Sequence, residues 1–418
     1  MKKLVSFSVR RCPNMKSLTA CIFLSLLVFL IPAAAHAGST GRIHGTITTV
    51  DGDTYEGLIR WDKNEASWFD ILNGNKEIRD GHRIRRHETI RVFGITIGER
   101  TSSGDIGSAQ SGLCFGHIKS LEPAGRDEAR LVLKSGEKIV LEGGSSDIGA
   151  GIREIVIEDI KEGEISLDWE DIERIEFSQG AATLTSQFGE RLYGTLKTRR
   201  GDEFTGWVSW DADELFSEDI LNGEEGRRER KMRFSKLASI ERRSSSSAVV
   251  ALASGGEMAL DGTNDVDRGN RGIAVFDPSF GQVEVDWSEF DRLDFQTPPA
   301  PPAYADFDGG RPLQGAVFTK NGERHAGTIR WDDDETHTWE ILDGESRGAD
   351  FDVMFGTIKE IKRQGFRSAV VTTWSGRTLR LEGSNDVDSD NRGIYVESPD
   401  GKETKIEWDE FDRVEFTR

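Results

Sequence analysis

Gly327-Thr-Ile-Arg-Trp331-Asp-Asp-Asp-Glu335-Thr-His-Thr-Trp-Glu340-Ile-Leu-Asp-Gly344 decides the architecture, because the chain repeats it. Gly57 to Gly74 reads GLIRWDKNEASWFDILNG and Gly206 to Gly223 reads GWVSWDADELFSEDILNG, both ungapped against it. In each copy a strand ends in Trp-Asp. Ile59 and Trp61 alternate with Leu58 and Arg60, and Val208 with Trp210 and Ile329 with Trp331 follow the same period of two. That period places each tryptophan inward, beside its aliphatic neighbour.

Outward from this stretch the register holds. Gly45, Gly194 and Gly315 open the copies, and a turn glycine follows seven residues later at Gly52, Gly201 and Gly322. After the quoted stretch come a strand, a Ser-Gly turn and a second strand. An Asp loop follows (Asp147, Asp265, Asp386), with an arginine six residues on at Arg153, Arg271 and Arg392. The closing pattern Trp169-x-x-Ile172-x-x-Ile175-x-Phe177 recurs at Trp287 and Trp408. A similar spacing, Phe115-x-x-Ile118-x-x-Leu121, closes the first half of copy one and recurs at Phe234 and Phe355. Each copy therefore reads as internally duplicated.

An apolar residue, one turn of tight helix and a final strand resembles the joint between the last two strands of small SH3-like barrels, including the Sm-like kind. The resemblance covers each half loosely and carries no functional motif. It implies an all-β fold, with three tandem repeats each built of two small barrel-type halves. A half of roughly 50 residues is near the lower limit for an independent core, so the halves are expected to pack as one domain.

The expected domains are 38–178, 190–296 and 311–418, preceded by a leader over 1–37. Lys2, Lys3, Arg10, Arg11 and Lys16 precede an apolar run from Leu18 to Ile31, and Ala35-His36-Ala37 is a small-x-small cleavage signal. This is the pattern of a secretory signal peptide cut after Ala37, with Met1 or Met15 as the start. It predicts a periplasmic or secreted protein with no membrane span in the mature chain. The leader holds five basic and no acidic residues. The chain's 54 basic and 74 acidic residues therefore become 49 against 74 after cleavage, a net charge of −25. Such a surface repels nucleic acid, so an envelope protein or a glycan is the expected partner. Of three cysteines only Cys114 survives cleavage, which leaves no intramolecular disulfide. Residues 297–310 (Thr-Pro-Pro-Ala-Pro-Pro-Ala and on) read as a polyproline spacer that keeps copy three apart.

Copy one carries an insertion at about 79–114, locally basic through Arg83, Arg85 and Arg86. It is either an extra hairpin or a functional loop. The acids of the Trp-Asp stretch (Asp62, Glu65, Asp70; Asp211, Glu214, Asp219; Asp332, Glu335, Glu340) suit either a hard cation or an Asp-x-x-Glu capping box. The capping reading is preferred, with Asn73-Gly74 and its counterparts as turns. Asp386-Val-Asp388-Ser-Asp390 resembles the alternating carboxylates of a Ca²⁺ loop, so Ca²⁺ is the one cofactor considered, at copy three. The competing reading pairs each loop Asp with its loop arginine. Trp61, Trp210, Trp331, Trp169, Trp287 and Trp408 read as core. Trp68 and Trp339, with Trp207 and Trp374, are surface candidates for stacking on a sugar. Cys114 near His117 could form a nucleophile pair, but the closing core pattern favours a small buried hydrophobe. The preferred function is a non-catalytic envelope module that binds or scaffolds. The alternatives are a carbohydrate- or Ca²⁺-binding module, or a hydrolase with its site in the insertion.

Overall fold

The computed structural model describes residues 41–76, 111–143, 147–181 and 183–418 in full, and the backbone of 77, 84–92, 95–104 and 108–110. The fold is all-β and its strands run antiparallel. In copy one the strands are β1 (His44–Thr49), β2 (Thr54–Trp61), β3 (Ile71–Glu77), β4 (Ile84–Val92), β5 (Ile95–Gly104), β6 (Ser108–Cys114), β7 (Ile118–Pro123), β8 (Glu128–Leu133), β9 (Lys138–Glu142), β10 (Ile155–Asp159), β11 (Gly163–Leu167) and β12 (Ile172–Phe177). β4 and β5 form a separate two-stranded hairpin, which is what the insertion contributes. The other ten make one sheet in the order β11-β10-β2-β1-β12-β7-β8-β9-β3-β6.

That order shows how the two halves of a copy relate. The first half supplies β1, β2, β3, β6 and β7, and the second supplies β8 to β12. The half-copies do not close separately. β2 of the first half pairs with β10 of the second, and β9 of the second reaches back to β3 of the first. β1 pairs with β12 and β8 with β7, while β7 and β12 meet at the centre through Ile175 opposite Leu121. Each five-strand group, β12-β1-β2-β10-β11 or β7-β8-β9-β3-β6, thus borrows strands from both halves. A short 3-10 turn, Phe115–His117 or Trp169–Asp171, leads into the last strand of each half. The same pairings recur in copies two and three, where Leu293 faces Ile240 and Val414 faces Ile361.

Apolar alternation fills the interior. Ile59, Trp61, Val208, Trp210, Ile329 and Trp331 are all fully buried. Trp61 stands edge-on to Trp169 at 6.2 Å, Trp210 to Trp287 at 6.3 Å and Trp331 to Trp408 at 6.3 Å. The glycine that begins the quoted stretch is needed where β2 is clasped on both sides. A Cβ on Gly57, Gly206 or Gly327 would lie 2.0, 2.1 or 2.0 Å from the carbonyl oxygen of Glu158, Phe276 or Glu397. Since these are backbone atoms of a paired strand, they have nowhere to go.

The three copies are not beads on a string. Copies two and three share one sheet through antiparallel pairing of Gly281–Val285 with Ala349–Val353. Copies one and two meet where Phe69 stacks on Phe276 at 4.6 Å and packs against Trp207 at 5.0 Å. Arg191 there holds Asp70 at 2.6 Å. Copies one and three meet through Lys76 and Glu340, and through the Cys114 thiol and the Met354 sulfur at 3.7 Å.

The expected spacer at 297–310 is instead docked on copy one. Tyr304 lies over Trp68 with centroids 4.4 Å apart and donates to the Ile118 carbonyl at 2.8 Å. The Gly309 N–H donates to His117 Nδ1 at 3.2 Å, and Ser135 Oγ donates to the Gly309 carbonyl at 2.9 Å. Proline fixes the backbone in advance and lowers the entropy cost of ordering. The aromatics behind it supply the grip.

Replacing Gly206 by alanine is expected to lower unfolding stability by about 1–3 kcal/mol through overpacking. Gly151→Ala, where nothing lies within 4 Å of the added carbon, is expected to leave it near wild type. Chemical denaturation of both variants checks the contrast, and equal stabilities would refute the close-approach argument.

Candidate functional site

After each core tryptophan the chain turns sharply. Asp62 and Lys63 have φ of 42° and 69°, Asp211 and Ala212 47° and 73°, Asp332 and Asp333 43° and 68°. Non-glycine residues rarely adopt this region, and six of the seven that do so among the described residues lie in these turns. The turn is closed by reciprocal bonds, Trp61 N–H to Glu65 O at 2.7 Å and Glu65 N–H to Trp61 O at 3.0 Å, repeated in the other copies. It is therefore a left-handed loop and no capping box, because a residue at positive φ cannot start a right-handed helical turn. Capping falls to the third acid. Asp70 Oδ2 accepts the Ala66 and Ser67 amides at 2.7 and 2.8 Å, and Asp219 and Glu340 do the same in their copies.

The turn is locked to the Asp loop from two directions. The indole N–H of Trp61, Trp210 and Trp331 donates to the carbonyl of Asp147, Asp265 and Asp386 at 2.9, 3.0 and 3.0 Å. The loop arginine crosses to the turn. Arg153 N–H donates to Asp62 Oδ1 at 2.6 Å, Arg271 N–H to Asp211 Oδ1 at 2.6 Å, and Arg392 donates to Asp332 through its amide, Nε and Nη2. The expected partner, the loop Asp itself, does something else. Asp147 Oδ2 and Asp265 Oδ2 each accept the amide and side-chain N–H of an asparagine, Asn73 or Asn222, and Asp386 Oδ2 accepts the Asp343 amide at 2.8 Å. Asn73-Gly74 and its counterparts are consequently mid-strand residues, not turns.

These acids are buried or partly buried. Burial drives the Glu65, Glu335 and Asp386 carboxyls well above their usual range, with neighbouring carboxylates adding to it. Burial also raises Asp332 to about 7 against the pull of Arg392, and Glu214 to about 10, with Asp265, Asp213 and Asp211 adding to the rise. In copy three, oxygens of Asp332, Glu335 and Asp386 lie within 4.8 Å of one another, all buried. In copy two Asp211, Asp213 and Glu214 form a comparable group. A small polar cavity beside Glu335 opens at the seam with copy one, lined among others by Asn73, Lys76, Ser111, Glu340 and Asp343.

The remaining candidates scatter. Asp386, Asp388 and Asp390 do not converge: Asp386 points inward, while Asp388 Oδ1 accepts the Asp390 amide at 2.8 Å and Asp390 is exposed. Trp68 and Trp339 are not stacking platforms, being 0% and 3% exposed. Trp68 lies under Tyr304, and Trp339 donates to Glu137 at 3.3 Å across a seam. Trp207 is buried in a seam too, whereas Trp374 is half-buried beneath the Arg418 guanidinium. Arg83, and the side chains of Arg85 and Arg86, lie outside the described residues. Cys114 faces Met354, with burial raising its thiol, while His117 faces the linker and is pushed down to about 4 by burial. The sequence reading took Asp343, where copy three alone replaces an asparagine, for a turn residue, whereas it lies mid-strand and donates its amide to Asp386. No protein-family model, curated protein or solved structure matches the chain.

Between pH 4.5 and about 10 the folded protein holds a proton on Glu214 that the unfolded chain releases. Stability then falls as pH rises through that window. Glu214→Gln is expected to flatten this decline between pH 5 and 9, read as melting temperature against pH. An unchanged slope would count against the buried, protonated carboxyl.

Proposed function

We propose that this is an exported, non-catalytic scaffold of the bacterial envelope, whose three copies act as one rigid body that binds or spaces an envelope protein or glycan. The observation that carries the reading is the division of labour among its residues. The acids and tryptophans shared by the copies are turned inward to hold the Trp-Asp turn to the Asp loop. Unshared residues such as Lys76 and Trp339 hold the copies together, and Trp68 seats the linker. What recurs serves shape. The 3-10 turn before the last strand of each half of copy one supports the resemblance to SH3-like modules. The basic and apolar leader supports export. Among the described residues no helix is long and apolar enough to cross a membrane.

Fractionating cells that make the full chain and sequencing the N-terminus of the product tests the export half. The mature chain is expected in the envelope or medium, beginning at Gly38; an uncut chain confined to the cytoplasm would overturn it. Affinity capture from envelope extracts with the intact mature protein tests the scaffold half. A saturable envelope ligand is expected, and turnover of a peptidoglycan or polysaccharide substrate would replace scaffold by hydrolase.

A further inference from the structure

We propose that a second copy of this chain docks on the first by strand pairing, the open edge Glu403–Ile406 of copy three lying antiparallel to the open edge Arg228–Arg233 of copy two in the next molecule. The inference does not depend on where the protein resides or what it scaffolds.

The chain already makes this joint once. Gly281–Val285 of copy two pairs with Ala349–Val353 of copy three, Gln282 opposite Asp352 and Glu284 opposite Asp350. Counted back from Trp287 and Trp408, Glu403–Ile406 is the counterpart in copy three of the first strand. Counted back from Phe355 and Phe234, Arg228–Met232 is the counterpart in copy two of the second. Each keeps one bare edge. Among the described residues Glu403–Ile406 pairs with Ile394–Glu397 alone, and Arg228–Arg233 with Ile220–Glu225 alone. An edge strand presents a row of N–H and C=O groups that is a template for another strand. The joint between copies two and three therefore leaves over one edge of each of the two kinds it unites.

Charge selects a second copy as the occupant. Carried over to the open edges, the register of the joint sets Glu403 opposite Lys231 and Lys405 opposite Glu229. Opposite charges directly across an antiparallel pair stabilise it. Charges on an edge ordinarily keep other strands off, but these two sets match. The corresponding edge of copy one, β11, would set Glu164 against Lys231 but Ser166 against Glu229, one pair in place of two, and Gln187 already bonds Glu164. All four residues of the matched pairs are exposed and hold local partners. Glu229 meets Lys231 at 3.1 Å, Glu403 meets Arg330 at 3.1 Å, and Lys405 meets Glu407 at 2.9 Å beside the Tyr395 ring. Surface ion pairs of this kind contribute little, so exchanging them for cross-strand pairs costs little. The internal joint also packs Phe351 against Phe204 and Phe280. Their counterparts Arg230, His325 and Gly401 offer no such apolar cluster. Backbone bonds and charge hold the proposed contact, which is reversible and sensitive to salt. Because unlike edges meet, each new molecule brings a further open edge, and association runs past the dimer.

Sedimentation velocity of the intact mature protein over a concentration series tests this, at low salt and at about 1 M salt, where the screening length is about 3 Å. Wild type is expected to grow past the dimer as concentration rises at low salt, and to shift back toward monomer at high salt. Lys231→Glu and Glu403→Lys alter side chains 63% and 53% exposed, so both variants should fold. Each alone should associate about tenfold more weakly, a matched pair being lost and a like-charge repulsion gained. Mixed together the two variants should associate again, because the two reversed edges complement one another. A wild type that stays monomeric at millimolar concentration in low salt overturns the pairing. So does self-association that neither reversal weakens, or a mixture that associates no better than its parts.

Discussion

The donation of a buried indole N–H to the carbonyl of the Asp loop is the constraint on which each copy rests. Trp61, Trp210 and Trp331 are fully buried, and an unmet donor in the core would cost about 1–3 kcal/mol. The carbonyls of Asp147, Asp265 and Asp386 meet that demand at 2.9–3.0 Å. Because the tryptophan closes a strand of the first half and the loop precedes a strand of the second, this bond fixes the halves relative to one another. The left-handed turn follows from it. To present Asp62 and its counterparts to the loop arginine, the chain must reverse immediately after the tryptophan. It accepts two residues at positive φ to do so, at about 1–2 kcal/mol each.

Repetition of a core and difference at the seams are two expressions of one geometry. Three similar domains packed in one chain meet through unlike contacts: a strand pairing, an aromatic stack with ion pairs, and a lysine inserted among acids. Each seam therefore combines recurring residues with ones that a single copy carries, such as Lys76 and Trp339. Arg153 shows the coupling, since it holds Asp62 in its own copy and Asp213 in the next at 2.9 Å.

Much of the fold was legible from the chain. Period-two alternation placed Ile59 and Trp61 inward, and the closing Trp-x-x-aliphatic pattern located the tight turn before each last strand. Local reading failed where the decisive partner is distant in sequence. Asp-x-x-Glu has the spacing of a capping box, but the backbone sign at Asp62 is set by Arg153, 91 residues away. Trp68 and Trp339 looked like surface because the copies do not share them. Variation among repeats marks either solvent or a seam, and sequence alone does not separate the two. The polyproline stretch has the stiffness of a spacer, yet Tyr304 and Phe307 just beyond it find Trp68 and Gly116 to rest on. Strand exchange between half-copies has no local signal, because either partner strand would satisfy the same hydrophobic pattern. Of the candidate site, the acids were visible, and their pairing was not.

The exchange of strands sets the smallest unit that can be inherited or assembled. A half-copy cut free would expose the edges of β2 and β3 to any neighbouring chain, so no half is a unit that closes its own sheet. The same holds in time: a chain emerging end-first leaves its opening hairpin unclosed until residues 172–177 arrive to pair with β1. Through more than a hundred residues of emergence the nascent protein is open to chaperones and to its own siblings.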